Sequence, residues 1–396
     1  MIVDEGRRQE VIDLCRELVR IPSVSGEERA VVEKASACMQ SLGYDDVTTD
    51  RLGNVRGRID GRRRGPGVLL DSHLDTVEVA NPRLWKHDPF GAEVSSGRIY
   101  GRGTSDMKGA AAAMILGAAY FADDCDRDFA GEIHVSCTVH EELFEGVAAR
   151  EVSRAVDPDV VIVGESTDLG INRGGRGRAE VRVETMGENA HSSNPEAGHN
   201  AVYDMARVIE KLRGIEVGEH PLLGRGIMEL TDIISSPYPG ASVIPDRCRA
   251  TYDRRLLVGE TKESVISSIR RVLETMGGES EPLRVEVECV EDENLCWTGN
   301  EIRSRRFFPA WLTPIDHPLV ESARDALGGM GLDAVVSCYS FCTNASHYAG
   351  EANIPTIGFG PSPEHLAHTV DEYIEIEDLV TTYRGYYRII EALTRS

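Results

Sequence analysis

The chain has 396 residues, 41% of them hydrophobic and 28% charged, with a formal net charge of -23. That length exceeds what one hydrophobic core usually organises, so two domains are expected. The charge repels nucleic-acid backbones and anionic membrane surfaces, and no apolar run approaches the roughly 20 residues that cross a bilayer, which excludes both as partners.

Residues 1–15 carry two arginines but no apolar signal region. The nine cysteines are scattered without a CxxC pair, which points to reduced thiols and a cytoplasmic setting. Cys338 and Cys342 are spaced like a metal pair, but two thiolates without further soft ligands do not complete a zinc site.

From the amino terminus, Val11, Ile12, Leu14, Cys15, Leu18 and Val19 recur at helical spacing, and Ile21-Pro22-Ser23 ends the pattern, so a helix is predicted over 10–19. A second helix is predicted over 27–42, followed by a hairpin around Gly53-Asn54. Residues 67–73 read as a buried strand that delivers His73 and Asp75 at its carboxyl end, where open α/β sheets place their ligands. A Gly- and Ala-rich helix is predicted over 103–120, opened by Thr104-Ser105-Asp106. Strand 131–139 then ends on His140-Glu141-Glu142, and strand 160–163 on Gly164-Glu165. Three strands therefore each end on a carboxylate or an imidazole.

The middle of the chain changes texture. Strand 179–184, helix 200–212, strands 228–234 and 248–255, helix 262–276 and strand 283–290 follow the order of a split β-α-β repeat. After it, helix 318–329, strand 354–358 and helix 376–393 resume the earlier αβ rhythm. The expected fold is thus α/β: a discontinuous catalytic domain, 1–178 and 293–396, with a mixed sheet flanked by helices, and an inserted α+β, ferredoxin-like lid and dimerisation domain over 179–292.

His73 and Asp75 alternate in an extended segment, so the imidazole can bind a metal while the carboxylate orients it from behind, although such a pair also fits ordinary turn residues. Asp106 fits a helix cap as well as a ligand. Glu141 and Glu142 are neighbours that point opposite ways in an extended chain, so one can bind metal while the other faces a reacting water. Glu165 and His368 add further donors, and His365 competes with His368 by position. Two imidazoles, an aspartate able to bridge and two glutamates suit zinc, manganese or cobalt, with one glutamate left to move protons.

His73-Leu74-Asp75-Thr76-Val77, the run 101–109, His140-Glu141-Glu142, Gly164-Glu165-Ser166-Thr167 and Ala367-His368-Thr369, in this order, resemble the acetylornithine deacetylase, succinyl-diaminopimelate desuccinylase and carboxypeptidase G family of di-zinc hydrolases. The runs 101–106, 173–178 and 307–311 are most similar to its YgeY-like peptidase branch. The resemblance implies two divalent ions, zinc with cobalt or manganese as alternatives: His73 and Glu165 on one, Glu142 and His368 on the other, and Asp106 between them. It makes Glu141 the general acid and base, Asp75 the orienter of His73, and His191 a lid histidine that stabilises the oxyanion, in a homodimer joined through the lid. Arg255 matches an arginine that binds the substrate carboxylate, and Thr343 and Asn344 fall in a substrate loop.

Two departures bear on specificity. Ser242 precedes Val243-Ile244-Pro245-Asp246 where many relatives have asparagine, and the loop 341–346 lacks the usual Gly-Thr-Ser-Asp wording. The expected activity is a metal-dependent amidohydrolase acting on a small substrate with a free carboxylate, either an N-acyl-L-amino acid or, as a dipeptidase or carboxypeptidase, a small peptide. A catalytically silent binding relative is the rival reading, and it requires a lost ligand or base.

Overall fold

A computed structural model describes residues 5–276 and 283–395. They form two compact units: residues through Gly175 with Glu293–Arg303 and everything from Trp311, and a second unit of Arg176–Asp292 with Ser304–Ala310. The segment 304–310, assigned from sequence to the catalytic part, belongs to the second unit because Phe307 and Phe308 pair with Ala179 and Arg178.

The first unit is built on a mixed nine-stranded sheet. Its central strand, Arg63–His73, is buried from Val68 to His73 and lies parallel to Ala130–Thr138 on one side and Val160–Val163 on the other. A strand buried on both faces reads as a continuous apolar run, which Val68-Leu69-Leu70 supplies, while the buried polar residues Asp71 and Ser72 beyond it are hydrogen-bonded. Helix Gly109–Asp124 carries alanines and other small apolar residues on every side and is buried almost completely. It meets helix Ile376–Thr394 at Gly117, where a Cβ would come within 3.3 Å of the Tyr383 carbonyl oxygen. Among the described residues, no helix is long and apolar enough to cross a membrane.

In the second unit the order is strand Gly177–Met186, helix Ala201–Leu212, strands Ile227–Ser236 and Arg247–Leu256, helix Lys262–Glu274 and strand Val285–Cys289. Numbered along the chain, those four strands lie in the ferredoxin-like order 2-3-1-4. Strict alternation in Gly177–Met186 sends Ala179, Val181 and Val183 to the helices with Ala250 and Tyr252, and Arg178, Glu180 and Arg182 to the other face. Both helices are capped locally: the Asn200 side chain accepts from the Val202 N–H, and Thr261 and Ser264 form a capping box.

The helix predicted over 103–120 begins later, at Gly109. Asp106 (φ -128°, ψ 93°) and Met107 (φ -135°, ψ 36°) are not helical. The carboxylate of Glu372 draws the N–H groups of Ser105 and Asp106 out of the helical ladder.

Candidate metal centre

Register explains why distant acids meet. His73 pairs with Thr138 and Asp71 with Val163, so three parallel strands end level and release 140–142 and Glu165 beside His73. His140 has φ 56°, a left-handed conformation that turns the chain sharply at the strand end. Glu141 and Glu142 therefore occupy a turn rather than the extended segment expected from sequence.

Asp106 lies between the two imidazoles. Its Oδ1 is 3.0 Å from His73 Nε2 and its Oδ2 is 3.1 Å from His368 Nε2. On one side Glu165 Oε1 is 3.5 Å from His73 Nε2; on the other Glu142 Oε2 is 3.0 Å from His368 Nε2. Glu141 Oε2 is the most distant, 3.9 Å from His73 Nε2. The ligand-capable atoms of His73, Asp106 and Glu142 lie within 4.8 Å of one another, as do those of His73, Glu141 and Glu165.

The electrostatics of this cluster call for cations. Asp75, Asp106, Glu141, Glu142 and Glu165 outnumber the imidazoles, so ionising all five leaves the cluster net negative even with both rings protonated. Burial, followed by the neighbouring charge of Asp106, pushes the Glu165 carboxyl up to about 8, and burial also drives Glu141 well above the usual range. Burial opposes ionisation of Asp106 too, but hydrogen bonds from His368 and His73 hold it low. One oxygen each of Glu141 and Glu142 is buried without a hydrogen-bond partner. Orphaned carboxylate oxygens among imidazole nitrogens are the donor set that a pair of borderline or hard divalent ions satisfies.

Asp75 faces both His73 and the turn that follows strand Ala130–Thr138. His73 Nδ1 lies 2.9 Å from the Asp75 main-chain oxygen and 3.5 Å from its carboxylate. That carboxylate accepts the main-chain N–H groups of Glu141 and Glu142 and the hydroxyl of Ser25. Asp75 thus steadies the turn at least as much as the imidazole.

His368 is half exposed, and His365 is exposed on the neighbouring short turn Glu364–Leu366. His191 lies in the second unit, exposed; its Nδ1 accepts from the Ser193 N–H at 3.1 Å. A main-chain N–H can only donate, so the His191 proton sits on Nε2. Arg255, on the charged face of the second unit's sheet, pairs with Asp253 at 2.8 Å, while the adjacent Arg254 is buried and bonded to the carbonyls of Ile227 and Val217.

Asn344 does not fit the substrate loop expected from sequence. Its amide donates to Asp71 Oδ2 and Thr138 Oγ1, both at 2.9 Å, its oxygen accepts from the Gly146 N–H, and the residue is 2% exposed. Thr343 is equally buried and its hydroxyl accepts from the Ala345 N–H. Both residues are committed to internal bonds.

The sequence reading missed Glu28, which is fully buried and accepts the N–H groups of Gly26 and His140. Its signal was available: position 28 falls on the apolar face of Val31, Val32 and Ala35. Arg102 and Glu372, also missed, form a buried ion pair across 270 positions of sequence, for which no local pattern exists.

The profile of Peptidase family M20/M25/M40 matches residues 69–392. YgeY of Escherichia coli K12, an uncharacterized protein, is 33% identical over 380 residues, covering 94% of this chain and 92% of its own. A succinyl-diaminopimelate desuccinylase of Rhodospirillum centenum is 30% identical over 289 residues, covering 67% of this chain and 73% of its own. Among solved structures, a tripeptidase of Staphylococcus aureus superposes with a TM-score of 0.77 at 20% identity, covering 98% of this chain and 99% of its own. A dinuclear metal-binding peptidase of Bacillus subtilis gives 0.71 at 16% identity, covering 98% of each chain.

Proposed function

Since the chain belongs to Peptidase family M20/M25/M40 and is a hydrolase of amide or peptide bonds, we propose that it binds two divalent ions and cleaves an N-acyl-L-amino acid or a small peptide bearing a free carboxylate. Zinc is the ion proposed, with cobalt or manganese as alternatives. The observation that carries the reading is Asp106, whose two oxygens face two separate imidazoles. His73 and Glu165 border one ion position, and His368 and Glu142 the other.

When bound, such a pair of ions activates water and polarises a carbonyl. Glu141 takes the water proton and delivers it to the leaving nitrogen; its greater distance from His73 Nε2, 3.9 Å against 3.5 Å for Glu165, supports that role over a ligand's. His191 donates Nε2–H to the oxyanion, the tautomer that its bond from Ser193 supports. Arg255 holds the substrate carboxylate, and its partly exposed guanidinium supports this over buried Arg254.

A homodimer joined through the second unit is proposed from its exposed apolar side chains, Tyr203, Ile233, Ile234 and Tyr238, two of them on the edge strand Ile227–Ser236. A cytoplasmic setting is proposed from the nine cysteines, which form no disulfide.

The test is a panel of N-acyl amino acids, dipeptides and tripeptides with zinc-, cobalt- or manganese-loaded protein, run beside Glu141→Gln with metal analysis of both. The variant is expected to keep two ions per chain and lose about 10²- to 10⁴-fold in kcat. Equal inertness of both proteins with every metal, or full activity of Glu141→Gln, overturns the reading.

A further inference from the structure

Asp106 and His368 both stand outside regular helices and strands, yet the proposed bridge requires them to keep a fixed separation. Two fully or nearly fully buried side chains, Arg102 and Glu372, join their loops. Glu372 Oε2 accepts from Arg102 Nη1 at 2.5 Å, and its Oε1 accepts the main-chain N–H groups of Ser105 at 2.9 Å and Asp106 at 3.2 Å. Arg102 Nη2 in turn reaches the main-chain oxygen of His368 at 3.4 Å. The guanidinium lies 5.4 Å from the ring of Trp85, and the Gly101 N–H donates to the Glu372 carbonyl, so both ends of the pair are held.

We propose that Arg102 and Glu372 are positioning residues that set the spacing of Asp106 and His368, and so govern the affinity of one ion position, the one bordered by His368 and Glu142. The inference rests on the two-ion reading. The asymmetry follows from how the donors are carried. His73 ends a strand that is paired on both sides, and Glu165 follows another strand of the same sheet, so neither depends on the pair. His368 sits in a loop with φ 63° and a half-exposed side chain, and Arg102 is the group that ties its main chain to the Asp106 loop. The geometry of this pair demands a planar fork: one guanidinium nitrogen binds the carboxylate while the other reaches the carbonyl, which a lysine ammonium does not reproduce.

The experiment is a zinc titration by calorimetry of the chelator-stripped full chain. It compares wild type, Arg102→Lys, the double variant Arg102→Met with Glu372→Gln, and His368→Ala, which marks the event belonging to that position. The double variant leaves no unpaired buried charge and keeps an acceptor for the Ser105 and Asp106 N–H groups; Arg102→Lys carries the test should the double variant not fold. Wild type is expected to show two events. In both Arg102 variants the event weakened by His368→Ala is expected to weaken about 10- to 100-fold, with the other unchanged within about threefold. A general loss of stability would weaken both. Equal weakening of the two events, no change in either, or selective loss of the other event overturns this inference and leaves the two-ion reading standing. Binding of no more than one zinc per chain in wild type overturns the two-ion reading, and this inference with it.

Discussion

Asp75 Oδ1 accepts the main-chain N–H of Glu141 at 3.0 Å, and its Oδ2 accepts that of Glu142 at 3.1 Å. One buried carboxylate therefore fixes the backbone of the proposed base and of a proposed ligand together. Asp75→Asn keeps one acceptor oxygen and orphans one of the two N–H groups. The expected outcome is a loss of about 10- to 100-fold in kcat with KM within about threefold, because the turn loses its aim while substrate contacts remain. Steady-state kinetics at saturating metal check this; an unchanged kcat, or a loss carried wholly by KM, contradicts it.

Asn344 supplies a second test because it separates packing from recognition. With both amide hydrogens on Asp71 and Thr138, and Asp71 also receiving Ser136 and Tyr348, the residue closes a buried network behind the strand that carries His73. Asn344→Leu orphans Asp71 Oδ2 and the Gly146 N–H and is expected to cost about 3 kcal/mol. Urea unfolding measures the cost. KM of the folded fraction should stay within about threefold; a tenfold rise would restore Asn344 to the substrate.

These two residues also show what the sequence could reveal. In the cluster, His73, Glu141, Glu142 and Glu165 were legible because each lies at the end of an apolar strand, and Asp106 because it sits in a glycine-rich run, whereas His368, well beyond strand Thr356–Gly358, and the grouping of all six came from the family resemblance. The order of the second unit was legible too: its alternation is strict and its helices are capped by adjacent residues. Illegible were the bonds made across the fold. Glu372 lies in an acidic stretch near the carboxyl terminus that reads as solvated, and nothing local shows that it holds Ser105 and Asp106. Asn344 reads as a turn residue until its partners Asp71 and Thr138 arrive from strands more than 200 positions away.

The adjacent arginines of the second unit make opposite predictions. Arg254 bonds the carbonyls of Ile227 and Val217 and the carboxylate of Glu260, so Arg254→Met is expected to destabilise the protein by about 3 kcal/mol. Arg255 pairs with Asp253 at the partly exposed face, and Arg255→Met is expected to leave the melting temperature nearly unchanged. Its effect should instead be a rise in KM of about tenfold or more for substrates with a free carboxylate, and little for the same substrates as amides. A KM indifferent to the carboxylate removes Arg255 from the proposed site.

Glu351 contributes to the pH dependence of stability at low pH. It receives Arg150 through Nε at 2.9 Å and Nη2 at 2.6 Å, and faces His347 Nδ1 at 2.8 Å. Burial alone would raise its carboxyl pKa, but the hydrogen bonds from His347 and Arg150 outweigh it and bring the group from 4.5 down to about 2. The folded state thus holds this proton less tightly than the unfolded state. Its contribution is fully present above the unfolded value and is lost as pH falls through the folded one. Glu351→Gln is expected to be less stable than wild type by about 1 kcal/mol at neutral pH. The difference should shrink as pH is lowered from about 4.5 toward 2, where wild type acquires the proton that the amide variant mimics. Denaturant unfolding of both proteins across that range is the measurement, and a gap that stays constant or widens in acid rules out this ion pair as the source.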